Sequence, residues 1–176
     1  MKRHRKGTSL YAGLLFTVLG VVAWATGQPF IFPSLGPTAF LLAFERRSPR
    51  TRTYRIVGSH LIGGLAGLFA YWVLAAGVTI TPTPPAFSVE GLRLAGSATL
   101  SIILTSWGMI ATDTIHGPAC ATTLIVSLGL LSTSLQVAII VVSVLILVEF
   151  HAGVLFVFKR IVGETHPVYR EDQRSR

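Results

Sequence analysis

The chain has 176 residues, of which 51% are hydrophobic and 12% charged, with a formal net charge of +8. Soluble domains carry about 25% charged residues, so this composition, together with apolar runs near the roughly 20 residues that cross a bilayer, excludes an ordinary soluble domain. The basic residues cluster at the ends of apolar segments, so the charge serves orientation in a membrane and not nucleic-acid binding.

The chain opens M-K-R-H-R-K-G-T-S-L, which resembles the charged region of a signal peptide. No convincing cleavage site stands near Gln28-Pro29, so Leu10 to Thr26 is read as a retained first membrane helix. Gly13, Gly20 and Gly27 recur on one side of it, a face that allows close helix packing. Then comes Q-P-F-I-F-P-S-L-G-P, whose prolines exclude a regular helix. Pro37 suits the first position of a new helix. That helix, about Pro37 to Phe44, is too short to cross a bilayer alone and is expected to be half of a broken passage.

Glu45 to Arg55 is a strongly basic loop. The third segment runs from Ile56 to Val78, with Ser59, Gly63 and Gly67 four apart as a small-residue stripe. His60 stands near Arg55 and is read as interfacial. A Pro/Thr-rich loop follows, and a fourth segment covers about Gly91 to Ile110. A-T-D-T-I-H-G-P breaks the pattern, a fifth helix is expected from Pro118 to about Leu131, and a sixth from about Leu135 to Phe158. Trp24, Trp72 and Trp107 fit either interface anchors or packing residues. The single cysteine, Cys120, excludes an intramolecular disulfide and is read as a small packing residue. No metal and no cofactor are expected.

Lys2, Arg3, Arg5 and Lys6, then Arg46, Arg47, Arg50, Arg52 and Arg55, then Lys159, Arg160 and the tail arginines mark one side. The positive-inside rule makes that side the cytoplasm. All the clusters agree if the chain passes six times, counting the two broken segments. The expected architecture is an all-α membrane protein of two inverted repeats, each of three membrane segments with a broken or half-helix at Gly-Pro. Its parts are a basic cytoplasmic N-terminus (1–9), a first repeat (10–78), an extracytoplasmic loop (79–90), a second repeat (91–160) and a cytoplasmic tail (161–176). The plasma (inner) membrane of a prokaryote is the expected location.

A helix N-terminus leaves N–H groups without intrahelical partners and carries about half a positive charge. Inside a bilayer such groups must meet protein, water or an anion. Two short helices entering from opposite leaflets would aim both N-termini at one place and form an anion site without Lys or Arg. The candidate binding residues are Ser34, Leu35, Gly36, Thr38 and Ala39 from the first break, and His116, Gly117, Ala119 and Cys120 from the second. Asp113, His116 and Glu149 are the candidates for gating or proton relay. Two of them keep a structural alternative: Asp113 as a cap at the cytoplasmic surface, and Glu149 with His151 as an interface pair.

P-S-L-G-P-T-A-F-L-L-A-F, the Arg-containing loop, I-V-G-S-H-L-I-G-G-L-A-G and D-T-I-H-G-P-A-C-A-T-T-L-I together resemble the HPP family of integral membrane proteins. The family is named for a His-Pro-Pro motif; here His116-Gly117-Pro118-Ala119 has glycine in place of the first proline. Members in plastids and cyanobacteria are known as nitrite transporters. The resemblance therefore implies transport of a small inorganic anion, with nitrite as the leading substrate. It matches the family's motif residues to Gly36, Pro37, Thr38, His116, Pro118 and Ala119. A membrane structural or assembly protein is the alternative, and the glycine faces also allow a homo-oligomer. An intramembrane enzyme using Asp113, His116 and Glu149 is disfavoured, because phosphoryl chemistry wants Arg clusters or metal carboxylates.

Overall fold

A computed structural model describes residues 2–46 and 51–162. Arg47, Arg50 and the tail arginines, which entered the orientation argument, lie outside the described residues. The elements are α1 (Lys2–Thr26), α2 (Leu35–Phe44), α3 (Thr53–Ala70), α4 (Val89–Ala111), α5 (Ala119–Ser127) and α6 (Ser134–Val162). A wide π-helical turn, Tyr71–Ala75, extends α3. The described residues contain no strand, and four helices, Gly7–Thr26, Thr53–Ala75, Val89–Ala111 and Ser134–Ile161, are long and apolar enough to cross a membrane. The chain is an all-α integral membrane protein in which the order long, short, long occurs twice.

Several boundaries differ from expectation, each for a local reason. α1 starts at Lys2 and not at Leu10, because Lys and Arg are good helix formers and continue the helix beyond its apolar part. Pro37 is the third residue of α2 and not the first. It is tolerated there because the first four N–H groups of a helix have no intrahelical acceptor. α5 ends at Ser127, short of Leu131. Gly129 stops it with φ +79°, and Leu130 N–H closes back on the Ile125 carbonyl. A side chain at Gly129 would also meet the Val78 carbonyl at 2.5 Å.

Two kinds of packing hold the bundle together. Large apolar side chains join α1, α2 and α6: Leu15 and Leu19, Leu35 and Leu42, then Ile140, Val144 and Leu147 are fully buried. Around α3 the contacts are small and polar. A Cβ at Gly63 would stand 2.8 Å from the Ala119 carbonyl, and one at Gly67 would stand 2.8 Å from the Thr123 carbonyl. The stripe on α3 therefore lets the backbone of α5 approach. Gly64 faces Val137 of α6 in the same way. On α4, Ser97, Ser101 and Thr105 recur every four residues and are fully buried. Ser97 donates to the Ser127 carbonyl at 2.8 Å, and Thr105 bonds Thr123 at 2.8 Å. Lipid supplies little hydrophobic drive between helices, so close backbones and interhelical hydrogen bonds take its place.

Trp24, Trp72 and Trp107 are all exposed, so none packs in the interior. Arg93 caps the end of the third span, donating to the carbonyls of Leu74 and Ala76 at 2.9 Å each.

Candidate functional site

The first break, residues 27–34, leads to α2 with Ser34 at its N-cap position. The second, residues 112–118, leads to α5 with Pro118 at its N-cap position. The fold brings the two breaks together. The Thr38 hydroxyl lies 3.0 Å from the Ser34 carbonyl, 3.2 Å from His60 Nε2 and 3.3 Å from His116 Nε2. His60 Nδ1 lies 2.7 Å from the Thr122 hydroxyl, which donates to Ser34 Oγ at 2.8 Å. The two imidazole centroids are 5.4 Å apart. Ser34, Thr38, His60 and Thr122 are fully buried, and His116 is nearly so.

His60 is a correction. It is not interfacial but sits at the centre of this cluster. The signal was present in the sequence. His60, Gly63 and Gly67 are spaced by three and four, so they share one helix face, and the two glycines turn that face to α5. The α4 stripe of Ser97, Ser101 and Thr105 was equally legible and was also missed.

The N-terminal ends of α2 and α5 meet in this cluster. Thr38, later in the chain than Ser34, meets His116, while Ser34 meets Thr122. The meeting is made by these side chains, and the two short helices have few close backbone approaches. At α5 the first-turn N–H groups are engaged: Ala119, Cys120 and Ala121 donate to the carbonyls of His116, Gly117 and Pro118. The donors that meet at the crossing are side chains.

The remaining candidates fall in three places. Leu35 and Ala39 belong to the apolar core, Ala119 is fully buried with its carbonyl against Gly63, and Cys120 is half-buried. Gly36 and Gly117 are exposed, with open space where a side chain would be. Gly117 and His116 line a cavity of about 440 Å³ together with Arg55, Glu45, Thr51, Leu41 and Ile115. Asp113 stands at the end of α4 with φ +52°, and Thr114 N–H closes on the Met109 carbonyl around it. Its carboxylate is paired with Arg55. Glu149 is exposed on α6 and does not enter the cluster. Its neighbour His151 is buried, receives the Tyr11 hydroxyl at 2.9 Å on Nδ1, and donates from Nε2 to the Arg46 carbonyl at 3.2 Å. That clip ties the end of α2 to α1 and α6.

A family model described as HPP, transmembrane region, matches residues 5–167. The chain belongs to the HPP transmembrane family. No curated protein and no solved structure matches it. In this HPP chain no group of three or more His, Cys, Asp or Glu able to hold a metal occurs among the described residues.

Proposed function

We propose that this HPP protein moves a small monovalent anion across the membrane, with nitrite as the leading substrate, through the crossing of its two broken segments. One observation carries the reading: the Thr38 hydroxyl, in the first turn of the helix after one break, stands 3.3 Å from His116 Nε2 of the other break, in the interior of the bundle. Polar groups at membrane depth are costly and concentrate along substrate paths. The cavity beside His116 and Gly117 holds Arg55, which attracts an anion, and the open space at Gly36 and Gly117 lets it approach backbone. A site of hydroxyls and imidazoles suits a weakly hydrated monovalent anion better than a phosphate.

Residues 10–78 and 91–160 are then two inverted repeats. The repeated order long, short, long and the meeting of the N-terminal ends of the two short helices support this. Residues 1–9 and 161–176 face the cytoplasm of a prokaryotic inner membrane and residues 79–90 the outside, by the distribution of Lys and Arg. In that frame the cavity at His116 opens to the cytoplasm, and the Arg55–Asp113 pair gates it. α1 leaves Gly13 facing open space, which gives a homo-oligomer room to form through that helix. The test is nitrite uptake into liposomes holding purified protein. Saturable flux above protein-free liposomes is expected, and equal flux with folded protein present rejects the reading.

A further inference from the structure

We propose that the His60–Thr38–His116 chain carries one proton with each anion, so that transport is electroneutral. The proposal rests on the anion-transport reading and adds its coupling ion. The Thr38 hydroxyl has a single hydrogen and three neighbours within 3.3 Å: a carbonyl that only accepts, and two imidazole nitrogens that accept or donate. His60 has a hydroxyl on each ring nitrogen, Thr38 at Nε2 and Thr122 at Nδ1. Thr122 gives its hydrogen to Ser34 Oγ, so Nδ1 carries the ring proton and Nε2 is left to accept from Thr38.

The bonds align in one direction. With the Thr38 hydrogen turned from the Ser34 carbonyl to the ring, His116 Nε2–H donates to Thr38, Thr38 donates to His60 Nε2, His60 Nδ1–H donates to Thr122, and Thr122 donates to Ser34 Oγ. A proton taken up at His116 Nδ1 releases the Nε2 proton to Thr38. Thr38 passes its own proton to His60 Nε2, and His60 becomes the imidazolium. His116 and Thr38 each give one proton and receive one, so both stay neutral and the added charge rests on His60. With centroids 5.4 Å apart, the two rings repel when both are charged, so the pair holds one proton. One positive charge beside one anion makes a neutral load, which removes the cost of moving bare charge against the membrane potential.

The other charged groups leave the pair free for this role. Arg55 and Glu45 line the cavity at His116, and Asp113 is held by Arg55. On α6, Glu149 is exposed, and His151 is engaged by Tyr11 and Arg46. On α4, Glu90 lies in the first turn and Arg93 binds the end of the third span. The half-buried Cys120 is the remaining titratable group on α5.

The test follows nitrite uptake and lumenal pH together in proteoliposomes, with potassium and valinomycin setting the voltage and protein-free vesicles subtracted. The expected result is one proton per nitrite and a flux that does not change with voltage. Flux that responds to voltage with no proton movement overturns the proposal and leaves anion transport standing. No flux of nitrite or of other small monovalent anions overturns both. His60→Gln retains hydrogen-bonding ends but binds no proton. Loss of proton movement in the folded variant supports the proposal, and unchanged coupling rejects it. If the variant does not fold, the wild-type stoichiometry alone decides.

Discussion

The hydroxyl of Thr38 and Nε2 of His116 lie 3.3 Å apart although 78 positions separate them in the chain. Thr38 stands in the first turn after one break and His116 within the other, and the contact joins the two broken segments. Thr38→Val preserves shape and removes the hydroxyl. A lost hydrogen bond is worth about 1–1.5 kcal/mol, so nitrite flux in proteoliposomes should fall about tenfold if the bond is strongest in the transported state. Unchanged flux in the folded variant would remove Thr38 from the path.

Gly63 and Gly67 separate packing from function. Alanine at Gly67 places Cβ 2.8 Å from the Thr123 carbonyl and from Val126 Cβ. Backbone must shift, so Gly67→Ala should destabilise by about 1–3 kcal/mol, read as earlier thermal unfolding in detergent. Gly13→Ala meets nothing within 4 Å and serves as the control.

Gly117 behaves in the opposite way. Its side-chain position is open and beside the cavity at His116. Gly117→Ala should leave the unfolding temperature within the small range of surface changes, about 0.5 kcal/mol either way. It should nonetheless raise the nitrite concentration needed for half-maximal uptake. A wild-type uptake curve would place the anion elsewhere.

At Asp113 the backbone and the charge can be tested apart. Its φ of +52° favours glycine, and its carboxylate pairs with Arg55. Asp113→Gly removes the charge and relieves the backbone, whereas Asp113→Ala removes the charge and keeps the strain. Alanine should unfold earlier by about 1 kcal/mol relative to glycine. Both should alter flux alike if the ion pair acts as a gate, because both free Arg55.

The clip at the end of α2 depends on Tyr11. Tyr11→Phe leaves Nδ1 of the buried His151 without its 2.9 Å partner. An unsatisfied buried acceptor costs about 1–3 kcal/mol. The unfolding temperature should drop, whereas Thr17→Val, which removes an exposed bond within α1, should change little.

Most of the helix inventory was readable because apolar length, proline and glycine act locally. Prolines end helices wherever the chain goes, and charge at the ends of apolar runs argues orientation without contacts. The boundary at α5 was missed because Leu130 and Leu131 read as more helix, whereas Gly129 adopts a left-handed conformation in which its neighbours allow no side chain. His60 was misplaced because proximity to Arg55 in sequence outweighed the helix face it shares with Gly63 and Gly67.

The sequence by itself determined that this is an all-α membrane protein with four long apolar helices and two short ones at Gly-Pro, since those properties follow from hydropathy and backbone restriction. It also held the residues of the family match, 5–167. Only the tertiary structure decided that Ser34, Thr38, His60, His116 and Thr122 share one interior cluster, that the N-terminal ends of the short helices meet there, and that Glu149 stands outside. Those are relations between distant segments. They are set by how closely α5 can lie on the glycine face of α3, which no local pattern states.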